Sequence, residues 1–227
     1  MTFADPFERA AALDGDLDEA AVRRALEDVR SAPDRDDDPA GGDVAASDDP
    51  SAGGDAPADP VDPSPARVVA DADALAADLL VGGAAREALD ALRSHAWTTL
   101  VASDPLLDDA EAVIAALSDA GLAADWRAAV EAWREPVGQP PGDHPALASA
   151  YRGGAMQVVS LDPSLTGPGA AAGLRDRLAV SVREPRAFAT VFDPAKLYPD
   201  AVGGEYPGPD RDPRTMEPVR ADGDQHG

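Results

Sequence analysis

The sequence predicts an α/β fold, with a mainly parallel central sheet covered by helices on both faces. Three observations lead there. From residue 66 to about 202, short apolar or β-branched runs alternate with segments of helical periodicity. Two of the three runs that stop at a sharp polar break end in aspartate, a pattern of strands feeding a polar edge. No apolar run approaches the ~20 residues of a membrane span.

The elements follow in order. Arg67-Val68-Val69-Ala70 is a strand ending at Asp71, and helical patterns cover 73–80 and 84–94 with a break at Gly82-Gly83. Thr98-Thr99-Leu100-Val101 is a second strand, closed by Ser103-Asp104-Pro105. Leu106, Ala110, Val113, Ile114 and Leu117 share one face of a helix over 106–120 that stops at Gly121. Trp126, Ala129, Val130 and Trp133 recur at helical spacing, so 124–134 is a helix whose tryptophans pack into the core. Asp143 caps a helix to about Arg152, and Met156 to Ser160 is a third strand ending at Asp162-Pro163. A short helix near 169–177 leads to a fourth strand, Leu178 to Val182, and Glu184-Pro185 opens a last helix or turn to about Phe192.

The flanks differ in character. Within residues 1–31, Leu13, Leu17, Ala20, Ala21, Val22, Leu26 and Val29 form a helical stripe broken at Asp14-Gly15. It reads as a marginal amphipathic appendage, with a docked helical hairpin as the alternative. Residues 32–65 are nearly all Asp, Pro, Ala, Gly and Ser, which bury too little apolar surface to offset the entropy of ordering. They are expected to form a disordered acidic linker, and 203–227, with four prolines and no apolar periodicity, a disordered tail.

The chain carries 43 acids against 19 bases, a formal net charge of −24. The excess runs throughout: 18 acids to 5 bases in 1–64, 19 to 11 in 65–202, 6 to 3 in 203–227. Lysine occurs once, at Lys196, and the other 18 bases are arginines. This is the composition of proteins from high-salt cytoplasms and GC-rich genomes. Screening there shrinks to roughly 3 Å at 1 M salt, so net charge does not exclude nucleic acid as a partner. Absence of cysteine excludes disulfides, Cys-ligated zinc and thiol nucleophiles. Asp5 and Glu8 stand where a signal peptide would be basic, so a cytoplasmic protein without membrane contact is expected.

In a parallel sheet the ligand site lies beyond the carboxyl ends of the strands. Asp71 and Asp162 end two strands, Asp143 begins the helix before the third, and Asp109 lies in the first turn after the second. Such carboxylates can converge at one edge, where their repulsion would be relieved by hard divalent cations, Mg²⁺ or Mn²⁺. Those metals activate water for attack on a phosphodiester. Each acid also has an ordinary role: Asp71 and Asp143 as helix caps, Asp162 as a turn former, Asp109 as one of many surface acids. Asp109 and Glu111 flank the apolar stripe about 100° to either side of Ala110, which leaves the choice between them open.

The run Val68-Val69-Ala70-Asp71-Ala72-Asp73 resembles the opening of PIN-type nuclease domains: an apolar strand, an acid, a small residue, then Asn or Asp. Asp143 to Tyr151, then Gly153-Gly154-Ala155, then Val158-Val159-Ser160-Leu161-Asp162, is similar to that family's second half. Ser181 to Phe188 resembles its closing strand and Pro-x-x-Phe turn. The resemblance covers 66–202. It implies a PIN-like three-layer fold, a Mg²⁺ or Mn²⁺ site and endoribonuclease activity carried by Asp71, Asp109, Asp143 and Asp162. The spacing of six from Ser103 selects Asp109. Asp73, His144, Arg183 and Arg186 are then expected to meet substrate. RNA is the expected partner, an antitoxin or other protein a further one, and the resemblance admits a homodimer. Two departures stand out: Asp109 replaces the usual Glu, and 121–142 is longer than a minimal domain needs. They suggest a separate branch in salt-loving archaea, and keep open a catalytically inactive PIN-like scaffold that binds protein or RNA.

Other chemistries fit less well. Ser103, Ser160 and Ser181 have no His/Asp partners at motif spacing, and Gly82-Gly83 and Gly153-Gly154 lack the spacing of a dinucleotide or phosphate loop. A receiver- or phosphatase-type site lacks its lysine. Residues 175–196 hold Arg175, Arg177, Arg183, Arg186 and Lys196 against three acids, a candidate contact for an RNA backbone.

Overall fold

Strands β1 (Ser64–Ala70), β2 (Thr99–Ala102), β3 (Glu135–Pro136), β4 (Ala155–Val159) and β5 (Ser181–Arg183) pair in one all-parallel sheet, ordered β3-β2-β1-β4-β5. The computed structural model describes residues 2–13, 15, 17–32, 60–140, 142–167, 169 and 180–219. The expected α/β class with a parallel sheet and flanking helices is what the chain adopts. Val68, Val69 and Ala70 are all fully buried, as a central strand covered on both faces must be.

The described helices are α1 (Ala4–Ala11), α2 (Glu19–Ser31), α3 (Ala72–Leu80), α4 (Gly83–Arg93), α5 (Asp104–Leu117), α6 (Ala120–Glu131), α7 (Pro145–Arg152), α8 (Pro163–Thr166), α9 (Pro185–Val191) and α10 (Pro194–Ala201). Their starts are encoded locally. Ser103 accepts a hydrogen bond from the Leu106 amide at 3.4 Å with Pro105 in the first turn of α5, and Asp119 accepts from Leu122 at 2.9 Å to open α6. Gly82, at φ +75°, breaks α3 from α4 in a conformation that other residues resist. Gly153 ends α7 where a Cβ would collide with Val101 of β2, so the turn into β4 is tight by necessity. No described helix is long and apolar enough to cross a membrane.

Several expectations are corrected. The N-terminal segment is a docked pair of helices. Phe3, Phe7, Ala10, Val22 and Leu26 all join the main core, and Phe3 meets Trp133 edge-on at 5.6 Å. Beneath α1 lies a fully buried ion pair, Arg93 with Asp78 at 2.7 and 2.9 Å, and Phe3 and Phe7 cover the guanidinium. Phenylalanines at 3 and 7 are one helical turn apart, and that face serves as the lid over the pair. Residues 203–219 are not a disordered tail. Tyr206 hydroxyl meets His95 Nε2 at 2.6 Å, the Asp210 carboxylate takes the Ala96 amide at 2.7 Å, and the Arg214 carbonyl takes the Phe3 amide at 2.8 Å. The proline-rich stretch binds through backbone groups, the Asp210 carboxylate and the Tyr206 ring, which periodicity does not register. The linker expected over 32–65 stops short of 65, since β1 begins at Ser64 and the Val61 amide bonds the Arg152 carbonyl. Residues 33–59, the expected helix at 170–177, Leu178 and 220–227 lie outside the described residues. Inside the long stretch 121–142 lies β3, two residues that extend the sheet beyond β2.

Candidate functional site

The strand order changes direction at β1: β2 and β3 continue to one side, β4 and β5 to the other. Side chains leaving the carboxyl ends of β1 and β4 therefore open a crevice at a switch point, where parallel α/β sheets bind ligands. Asp71 and Asp73 follow β1 there, and Ser160 and Asp162 follow β4. The two segments are tied by backbone, with the Asp71 amide donating to the Val159 carbonyl at 2.8 Å.

Asp71 is fully buried. One carboxylate oxygen accepts the Ala72 amide at 2.8 Å and the other the Ser160 hydroxyl at 3.0 Å. It is thus the first-turn cap of α3 and a site acid at once. Asp73, 1 % exposed, accepts the Leu161 amide at 3.0 Å through one oxygen, which also lies 3.3 Å from Ser160 Oγ. Its other oxygen, Oδ1, is buried with no hydrogen-bond partner. Burial first, and the adjacent Asp71 second, push the Asp73 carboxyl up to about 8. Two buried carboxylates side by side repel each other, and such pairs gather where a ligand or reaction uses them.

Arg30, from the last turn of α2, completes the site. Its Nε donates to Asp109 Oδ2 at 2.8 Å, its Nη2 to Asp71 Oδ1 at 3.3 Å, and its Nη1 lies 3.5 Å from His144 Nε2. Burial opposes the charge of this guanidinium, yet Asp71 and Asp109 outweigh it and hold its pKa above the usual value. Between Asp109 and Glu111 the geometry decides: Asp109 faces Arg30, whereas Glu111 turns to Arg127 at 3.4 Å.

The remaining candidates are spread out. Asp162 is at the same edge and lines a small cleft with Asp73 and Arg30, but its carboxylate accepts the Ser164 amide at 2.7 Å and hydroxyl at 2.8 Å. It caps α8. Contrary to the sequence expectation, Asp143 does not cap α7; His144 holds that position, because Pro145 fixes the first helical residue one place later. Asp143 is exposed and lines a separate groove with His144, Leu147 and Tyr151. Arg183, at the end of β5, donates to Gln157 at 3.2 Å, and Arg186 is exposed on α9. Arg175 and Arg177 lie outside the described residues. Among the described residues, no three His, Asp or Glu side chains stand together as a ready metal nest. Hard carboxylate oxygens and an orphaned buried Oδ1 suit a divalent cation chemically; the guanidinium of Arg30 lies among them. Sequence reasoning missed Arg30 and Ser160. Ser160 sits two residues before Asp162 at a strand end, a readable position, but nothing local marks Arg30.

Fold and site together define a doubly wound, all-parallel α/β domain with an acidic pocket at its switch point. The chain belongs to a family of unknown function, DUF7384, whose model matches residues 62–214, two thirds of the sequence. No curated protein and no solved structure matches it.

Proposed function

We propose that this protein is a metal-dependent endoribonuclease of PIN type. One observation carries the reading. Two acids that follow β1, Asp71 and Asp73, are buried at the carboxyl edge of the parallel sheet, Asp73 keeps one oxygen without a hydrogen-bond partner, and Arg30 joins Asp71 to Asp109 of α5. Adjacent buried carboxylates gather where a cation or a proton transfer uses them. Asp71, Asp73 and Asp109 would hold Mg²⁺ or Mn²⁺, with Asp162 close by on the same edge. The bound metal would supply an activated water and charge neutralisation at a phosphodiester. Ser160 orients Asp71, and His144, 3.5 Å from Arg30, would contact a phosphate or shuttle a proton.

A second reading has an observation of its own. Arg30 neutralises Asp71 and Asp109 as a structural ion pair would, which suits a PIN-like scaffold without catalysis. Incubation of a mixed RNA pool with the protein, Mn²⁺ and molar KCl separates the two. The nuclease reading expects cleavage that Asp71→Asn abolishes, while Asn still accepts the Ala72 amide and keeps the fold. Cleavage persisting in Asp71→Asn, or absent from the native protein at every Mn²⁺ concentration, favours the scaffold.

A further inference from the structure

We propose that α2 is a built-in plug of the acidic pocket, with the Arg30 guanidinium occupying the place of a divalent cation until one displaces it. The inference rests on the metal site proposed above and adds its regulation.

The geometry is that of competition for the same oxygens. Arg30 reaches Asp109 Oδ2 at 2.8 Å and Asp71 Oδ1 at 3.3 Å, so a cation bound to both must move it. The substitution is incomplete. A guanidinium is a flat fork of five N–H groups that matches two carboxylates well, whereas a spherical cation gathers oxygens from all directions. Asp73 records the shortfall: it is 1 % exposed, lines the cleft under α2 with Arg30, and keeps Oδ1 without a partner. Arg30 therefore quiets two of the acids and leaves the third unsatisfied.

The two N-terminal helices are anchored by different residues. α1 is held by Phe3 and Phe7 in the core, by rings over Arg86 and Arg93, and by the Phe3 amide on Arg214. α2 packs on α3 and α5 through Val22 and Leu26, with Ala25 and Val29 half-buried beside them, and its Arg23, Glu27 and Arg30 line the cleft. Arg30 lies in its last turn with a side chain still 27 % exposed. It can leave the pocket without disturbing α1. The plug is also an addition to the domain: the family match begins at residue 62, and residues 32–63 separate α2 from β1 in sequence.

Mn²⁺ titration calorimetry on the chelator-treated full chain tests this, at fixed molar KCl. Arg30→Met keeps the length of the stem and removes the charge. It should bind Mn²⁺ about 5- to 150-fold more tightly than the native protein, the usual range for coupled binding events. Arg30→Lys, which keeps a charge but loses the fork, should fall between the two and carries the test if the methionine variant does not fold. Asp71→Asn should not bind. Equal affinity in native, Met and Lys proteins, with binding still lost in Asp71→Asn, overturns the plug and leaves the metal site standing. Native-like binding by Asp71→Asn removes the metal site, and the plug with it.

Discussion

Asp73 carries a burden that the fold itself does not need. Its carboxyl is buried beside another acid, and its pKa is pushed up to about 8. A group whose folded pKa is raised contributes stability that is complete below its unfolded value and is lost as pH rises through the folded one. Metal-free protein should thus lose stability between about pH 4 and pH 8 relative to Asp73→Asn, in which that loss is absent. Urea unfolding of both proteins at several pH values, with chelator present, measures the difference. Parallel curves would show that Asp73 ionises as freely in the fold as out of it. At this scale the sequence was partly legible. Asp71 and Asp162 are readable as strand-end acids, because strand ends can be read locally. Arg30 was not, because its partners lie 41 and 79 residues away.

At the scale of elements, α1 is the informative case. Its eight residues include Phe7, 3 % exposed, stacked on Phe3 at 5.6 Å and lying over the guanidinium of Arg86. Phe7→Ala should cost about 3–5 kcal/mol, the usual loss for a buried phenylalanine, read as a fall in the urea midpoint. A marginal appendage would register almost no change. A single amphipathic turn looks the same in sequence whether it lies on a core or on water. What distinguishes them is the buried Arg93–Asp78 pair that it covers, formed by α3 and α4. The same holds for 203–219, whose docking rests on backbone groups reaching Ser94 and Phe3 and on the Asp210 carboxylate at the Ala96 amide.

The whole molecule is governed by its charge. With 43 acids and 19 bases, self-repulsion in the folded state is long-ranged at low salt, where the Debye length is about 10 Å at 0.1 M, and short-ranged at roughly 3 Å near 1 M. The urea midpoint should therefore rise steeply as KCl is raised from dilute to molar. A flat or falling profile would mean that ion pairs such as Arg127 with Asp108 and Glu131 outweigh the repulsion. The same screening lets an acidic protein approach RNA, which low-salt assays would conceal.

Strand and helix periodicity, with aspartates at strand ends, was enough to determine the α/β class, the parallel sheet and the edge where a site would lie. These are local properties: alternation, capping and abrupt polar breaks are written in neighbouring residues. Which acids share that edge as partners was decided only by tertiary structure. Pro145 shifts the cap of α7 to His144 and leaves Asp143 in its own groove, and Asp162 turns back to Ser164. Arg30 enters from a helix that the sequence places before a long acidic stretch. Contacts of that kind depend on how separate elements pack, and no window of sequence contains both partners.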